Sequence, residues 1–244
     1  MRPRITAIGG DDAMSEAYQY GQFCPVAMTL DVLGGRWTFL ILRELLCGST
    51  RFNELRRGLP RMSPALLSKR LKELEKNGLV ARKKSDEPGI YDYVLTPSGM
   101  DTKDMVFALG HWGQRWVETK VTLKNLDPSL LMWDMRRNLK ASHFPNRRVV
   151  VQFVYRDLQP ATRDYWLIVE DGCVDLCNAD PGFEIDVFLE TDLGTMTKIW
   201  MGLTSVRAAV ANGSMALSGD RRLADRAQEW LGLSYFAGEQ KRVA

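Results

Sequence analysis

Apolar positions recur at spacings of three and four between residues 25 and 118, then give way to short apolar or alternating runs between 148 and 190. The first pattern is that of helices packed on one face, the second that of strands. Pro25 suits a first helical position, where its missing N–H forfeits no hydrogen bond. Val26, Met28, Leu30 and Leu33 follow before Gly34-Gly35 stops the helix. Trp37, Leu40, Ile41, Leu45 and Leu46 predict a second helix over 36–46, ended by Gly48, and Phe52, Leu55 and Leu59 a short third over about 51–58. The fourth is the most sharply bounded: Ser63-Pro64 gives an N-cap and a proline at the first position, and Asn77-Gly78 gives the stop. At about 100° per residue, Leu67, Leu71 and Leu74 share one face of it. Ala65, Lys69, Lys72 and Lys76 lie on the opposite face, with Ser68 beside them. Strands follow over 79–82 and 91–95, joined by the polar stretch KKSDEPG, so that Lys83 and Lys84 fall at a hairpin tip. Thr96-Pro97 opens a closing helix through Met105, Leu109 and Trp112 to about Val117.

Three helices, a fourth with a cationic front, a hairpin and a closing helix make a winged helix-turn-helix. After Asn125-Leu126-Asp127-Pro128, which marks a boundary, the order changes. A helix over 129–139 precedes strands over 148–155, 164–170, 173–177 and 183–190. Helices over 192–201, 205–212 and 221–231 close the chain, with a short strand over 215–217 before the last. The expected fold class is α+β: an N-terminal winged helix-turn-helix domain, mostly α with a β-hairpin wing, followed by an α+β domain with an antiparallel sheet.

Composition narrows the function. The 244 residues are 45% hydrophobic and 26% charged, the balance of a soluble globular chain and long enough for two domains. No run of about 18 apolar residues predicts a membrane span. The opening MRPRITAIGGDDAMSEA lacks the apolar core of a secretory signal, and four cysteines are too few for a disulfide framework, so a cytoplasmic location is expected. The net charge of +3 is an average of unlike parts: residues 36–84 hold 13 basic and 4 acidic residues, whereas 125–244 are net negative. A basic block points to a polyanion partner. A helix with an apolar back and a cationic, small-polar front is what entry into a DNA major groove requires. An ordinary amphipathic surface helix has the same layout, and the hairpin and closing helix around this one are what single it out. His111 and His143 stand in no metal-ligand spacing, and no GxSxG, GxGxxG or GxxxxGK[ST] occurs. Neither an enzymatic activity, a metal nor a cofactor is expected.

The stretch from Cys24 to about Trp116 resembles the HxlR-type winged helix regulators of bacteria. The strings that carry the resemblance are CP at 24–25, GGRWTFLILREL at 34–45, RFNELRRGLP at 51–60, MSPALLSKRLKELEKNGLV at 62–80 and YVLTPSG at 93–99. It implies a transcriptional regulator that binds double-stranded DNA as a homodimer on an inverted repeat, with segments near 12–33 and 97–118 building the dimer. By position, Pro64–Lys76 is the recognition helix. Ser63, Ala65, Ser68, Lys69 and Lys72 face the groove, Arg51, Asn53, Lys83 and Lys84 face phosphates, and Lys76 is a further DNA-binding residue. Gly89-Ile90 stands where the family wing usually carries a second proline and a basic residue. Some members sense oxidants through a cysteine of the CP motif. Cys24 holds that place, ahead of a helix N-terminus that would favour thiolate. Cys47, at the end of an apolar helix, is expected to pack.

The second half resembles the sterol carrier protein type 2 fold, through VVVQFVY, DYWLIVEDGCVDLC, DVFLETDLGTMTKIWMGLTS and VANGSMALSGD ahead of a terminal helix ending at Trp230. That family binds acyl chains or sterols between its sheet and helices, which implies an apolar small-molecule effector. Trp133, Phe153, Trp166, Phe188, Trp200, Met201 and Trp230 are the residues to line such a pocket, or else simply to fill the core. Cys173 and Cys177 share a sheet face without a histidine, which favours packing over zinc or a redox pair. The expected division is an N-terminal arm with a dimer contact at 1–22, the DNA-binding domain at 23–120, the sterol-carrier-like domain at 126–235 and a tail at 236–244. Two other functions compete: a redox-sensing regulator acting through Cys24 with a purely dimerising C-terminal domain, and a lipid carrier.

Overall fold

A computed structural model describes residues 19–119 and 123–243. The chain divides into two compact units, one ending at Leu109 and the other starting at Gly110. In the first, α1 (Pro25–Leu33) leads through a turn to α2 (Thr38–Leu46). Trp37 is left-handed at φ 79°, which places the start of α2 two residues later than the periodicity predicts. Next come α3 (Phe52–Gly58), α4 (Pro64–Lys76) and the hairpin of β1 (Val80–Lys84) and β2 (Tyr91–Leu95), in register from Val80↔Leu95 to Lys84↔Tyr91. The closing helix comes in two pieces, α5 (Pro97–Met100) and α6 (Lys103–Trp116). It is interrupted where Thr102 Oγ1 donates to the Gly99 carbonyl at 2.6 Å.

The core of this unit is one apolar cluster drawn from α1 to α4 and the base of the wing, including Ile41, Leu42, Leu55, Leu67, Leu71, Leu74 and Val80. One carboxylate lies inside it. Glu44 is fully buried, paired with the Arg43 guanidinium at 2.6 Å and accepting from Ser49 Oγ at 3.2 Å. Gly58 closes over this carboxylate so tightly that a Cβ there would lie 1.9 Å from Oε2, which fixes glycine at the end of α3.

The second unit contains a five-stranded sheet in the order β5-β4-β3-β6-β7: β3 (Val149–Tyr155), β4 (Asp164–Glu170), β5 (Cys173–Cys177), β6 (Val187–Thr191) and β7 (Met215–Gly219). Three of its four pairings are antiparallel, and β3–β6 is parallel. The segment 178–186 carries the chain back from the end of β5 to the start of β6, so β6 runs in the direction of β3. Helices α7 (Pro128–Asn138), α8 (Leu193–Trp200), α9 (Val206–Ala211), α10 (Arg221–Asp225) and α11 (Ala227–Trp230) complete the unit. Residues from all five pack with one sheet face into a single core that contains Met132, Val151, Phe153, Leu167, Leu189, Met196, Ala209, Leu223 and Trp230. Trp230 is fully buried, and its indole N–H donates to the Leu223 carbonyl at 2.7 Å.

The division between the units falls inside α6, earlier than the 120–127 boundary expected from sequence. The second half of that helix is gripped by the chain's C-terminal stretch. The Phe236 ring lies on Gly110, Arg115 pairs with Glu239 at 2.5 Å, and Lys241 Nζ donates to the Val117 carbonyl at 2.6 Å. No single helix among the described residues is long and apolar enough to cross a membrane.

Candidate nucleic-acid interface

Helix α4 is held by its back and presented by its front. Ser63 caps it, accepting from the Leu66 amide at 3.3 Å, and Pro64 fills the first turn. Leu67, Leu71 and Leu74 are buried on one side. At its other end the Gly78 carbonyl accepts from both Thr96 Oγ1 at 2.6 Å and Ser98 Oγ at 2.7 Å, and the Thr96 amide reaches the Leu79 carbonyl at 3.0 Å. The base of the wing is thereby bolted to the end of the helix. Fixing a helix at both ends and along its back leaves its exposed face pre-organised, so binding loses less conformational entropy.

That exposed face carries the residues expected from sequence. Ala65, Ser68, Lys69, Lys72 and Lys76 line one shallow surface groove together with Glu73. Ser63 is exposed at the N-terminal end of the helix, and Asn53 is exposed on α3. Lys83 and Lys84 are exposed on β1 of the wing rather than in its tip loop, because the strand runs two residues further than predicted. No ion pair involves any of these five lysines among the described residues. Their charge is therefore available to an anion from outside, at no cost in broken pairs. Arg51 differs: its guanidinium pairs with Glu87 at 2.5 Å and lies 3.9 Å from Asp92, both on the wing.

On other helices of the domain, α1 leaves Val26, Met28 and Leu30 exposed, as are Met100 at the end of α5 and Met105 and Leu109 on α6. Pro25, Met28, Val32, Leu33, Leu79 and Met105 border an apolar cleft of about 550 Å³. Trp112 and Trp116 are exposed further along α6. Cys24 is exposed directly before α1, and the backbone N–H groups of Ala27 and Val26 hold its thiol below the ordinary pKa. Cys47 is exposed, not packed as expected, because α2 ends with its side chain outside the core.

The residues proposed to line a pocket in the second unit do not come together. Phe153 pairs with Tyr165 and Leu189 on the covered sheet face, whereas Trp166, in register with Gln152, points to the other face along with Phe188. Phe188 is 42% exposed. Strand alternation separates neighbours in this way. Phe153 and Trp230 fill the core, and Trp200 packs at its edge. Trp133 is buried on α7 with the Arg136 guanidinium 4.5 Å from its ring centre, and Met201 is half-buried at the end of α8. Cys173 is exposed and Cys177 half-buried. Four residues apart on one extended strand, they are separated by roughly 13 Å, too far for a disulfide. Among the described residues no group of His, Cys, Asp or Glu is placed to hold a metal ion.

Residues 32–121 match the HxlR-like helix-turn-helix family. An HTH-type transcriptional regulator of Bacillus subtilis (strain 168), YybR, is 36% identical over 98 residues, which cover 40% of this chain and 78% of YybR. An HTH-type transcriptional regulator of Methanothermobacter thermautotrophicus is 32% identical over 115 residues, covering 47% of this chain and 85% of the relative. Among solved structures, the reduced form of the transcriptional regulator YodB from B. subtilis is 33% identical with a TM-score of 0.34, over 38% of this chain and 93% of that one.

Proposed function

Because the chain belongs to the HxlR-like helix-turn-helix family, we propose that it regulates transcription by binding double-stranded DNA sequence-specifically as a homodimer. The observation that carries this reading is the exposed, unpaired lysine face of α4, whose opposite face is buried. Ser63, Ala65, Ser68 and Lys69 reach base edges, while Lys72, Lys76, Lys83, Lys84 and Asn53 meet phosphates. The exposed apolar residues of α1 and α6 are covered by the second copy, since monomers rarely leave such a patch open. Two copies then place two recognition helices on an inverted repeat. Selection of duplexes from a randomised pool tests this: a palindromic consensus is expected, and wild-type protein that enriches none overturns the reading. Trp112→Asp is expected to shift the protein to monomer in sedimentation and to abolish cooperative binding to both half-sites.

The second unit, which the sequence likens to a sterol carrier domain, joins a sheet to helices over one apolar core. In this reading it takes an apolar effector that alters DNA affinity, to the extent that the effector prefers one state of the protein. Uptake of a fluorescent fatty acid tests it, and a protein that takes up none contradicts it. A redox reading is favoured by one further observation, the lowered and exposed thiol of Cys24. A depressed pKa means that thiolate persists at pH values where a free cysteine is protonated. The alkylation rate of Cys24 is therefore expected to rise with pH through a midpoint below that of free cysteine. An ordinary midpoint removes this second reading.

A further inference from the structure

Arg51 occupies a position where a phosphate contact is expected, yet its surroundings are those of a mechanical part. The backbone of 50–51 adds a third strand to the wing: Arg51 bridges antiparallel to Asp92, and the Tyr93 amide donates to the Thr50 carbonyl at 2.8 Å. Thr50 Oγ1 donates to Asp92 Oδ1 at 3.2 Å. Asp92 is in turn in register with Lys83 on β1. Directly opposed residues of antiparallel strands present side chains on the same face. Arg51, Asp92 and Lys83 therefore form one row across three strands, with charges plus, minus, plus. A second carboxylate reaches the same guanidinium from the tip loop, with Arg51 Nη2 and Glu87 Oε1 2.5 Å apart. The wing offers Arg51 an anion on its strand and another on its loop, and the start of α3 is fixed at the same point, where the Thr50 and Arg51 amides donate to Glu54 Oε2 at 2.9 and 3.0 Å.

We propose that Arg51 is a positioning residue, the pin that sets the wing's angle through Glu87 and Asp92, and that it acts on DNA through the placement of Lys83 and Lys84. The proposal rests on the DNA-binding reading above and adds a role to it. A guanidinium suits the task because its planar fork engages two carboxylates at once in a fixed geometry, which an ammonium cannot do. If the pin is lost, the two lysines leave their phosphates together, although neither has been altered.

The test measures affinity for a duplex selected by the wild-type protein, across a series of salt concentrations. Each lysine–phosphate contact contributes about 0.9 to the slope of log K against log salt. With Arg51 as the pin, Arg51→Ala and Arg51→Lys both reduce that slope by roughly 2, the loss expected for Lys83→Ala/Lys84→Ala. Adding Arg51→Ala to the lysine double variant then changes nothing further, and Glu87→Gln with Asp92→Asn reproduces the Arg51→Ala phenotype. With Arg51 as a phosphate ligand, Arg51→Lys keeps the wild-type slope, Arg51→Ala lowers it by about 0.9, and its loss adds to that of the lysines. That second pattern overturns the proposal and leaves the DNA-binding reading intact. Wild-type protein that retains no duplex overturns the reading itself. Melting temperatures of the variants, expected within a few degrees of wild type, separate a displaced wing from an unfolded domain.

Discussion

On α4 and the wing, Lys69, Lys72, Lys76, Lys83 and Lys84 stand without an ion pair among the described residues, whereas four arginines on or beside strands of the C-terminal sheet each lie beside a carboxylate. Arg147 faces Asp186, Arg148 faces Glu170, Arg156 faces Glu190 and Arg163 faces Asp164. The residue chemistry differs as well. A lysine is a flexible point charge that follows a phosphate, and an arginine is a rigid fork that suits a fixed carboxylate. Cations already paired gain little on meeting DNA, so these four arginines are expected to contribute little to polyanion affinity. The two regions also differ in where their burial goes. The first spends its apolar packing on holding one helix so that its other face stays free; the second closes its sheet and five helices over a single core. Binding and stability are therefore expected to respond to different substitutions.

Phe153→Ala should have the largest effect. The ring is fully buried in the core of the sheet, and such truncations cost about 3–5 kcal/mol. Denaturant melts should show that loss, while the protein that remains folded keeps the wild-type salt slope of DNA binding. A reduced slope would show that the core of the second unit shapes the DNA contacts. Lys69→Ala with Lys72→Ala comes next, in the opposite sense. Affinity for the selected duplex should fall about 10- to 100-fold and the salt slope by about 0.9, the share of Lys72 on its phosphate, with stability unchanged within about 0.5 kcal/mol. If affinity survives, α4 is not the recognition helix.

The lysine face was legible in the sequence because everything that makes it is local. A proline and a capping serine start the helix, three leucines at helical spacing choose its back, and the lysines are what remains. The wing's two strands were legible for the same reason, apart from their ends. What was not legible depends on partners distant in the chain. Glu44 sits on the apolar helix α2 and is fully buried, since Ser49 and Arg43 satisfy it and Gly58 leaves room for it. Arg51 meets Glu87 only once the hairpin has folded back on it. The grip of the C-terminal stretch on α6 pairs Arg115 with Glu239, 124 residues away. The aromatic residues proposed for one pocket failed as a set because the pairing register decides the face. Phe153 opposite Tyr165 puts Trp166 on the other side, and that register was not written in any short segment.

The smallest expected effect belongs to Arg148→Ala, and it bears most directly on the contrast between free and paired cations. The Arg148 guanidinium is 2.9 Å from Glu170 and 4.2 Å from the centre of the Phe183 ring, with the side chain 43% exposed. An exposed ion pair contributes about 0–1 kcal/mol, and a cation over an exposed ring about 0.5–1 kcal/mol. Loss of both should lower stability by no more than roughly 1–2 kcal/mol. Removing Glu170 as well should recover almost nothing, because an exposed carboxylate is solvated without its partner. DNA affinity and its salt slope should stay at the wild-type values, since a charge already facing a carboxylate releases no counterion from DNA. A slope lowered by about 0.9 in Arg148→Ala would mean that this arginine leaves Glu170 for a phosphate. Being paired in the free protein would then say nothing about which cations read DNA, and the unpaired lysines of α4 would lose their standing as the sign of the interface.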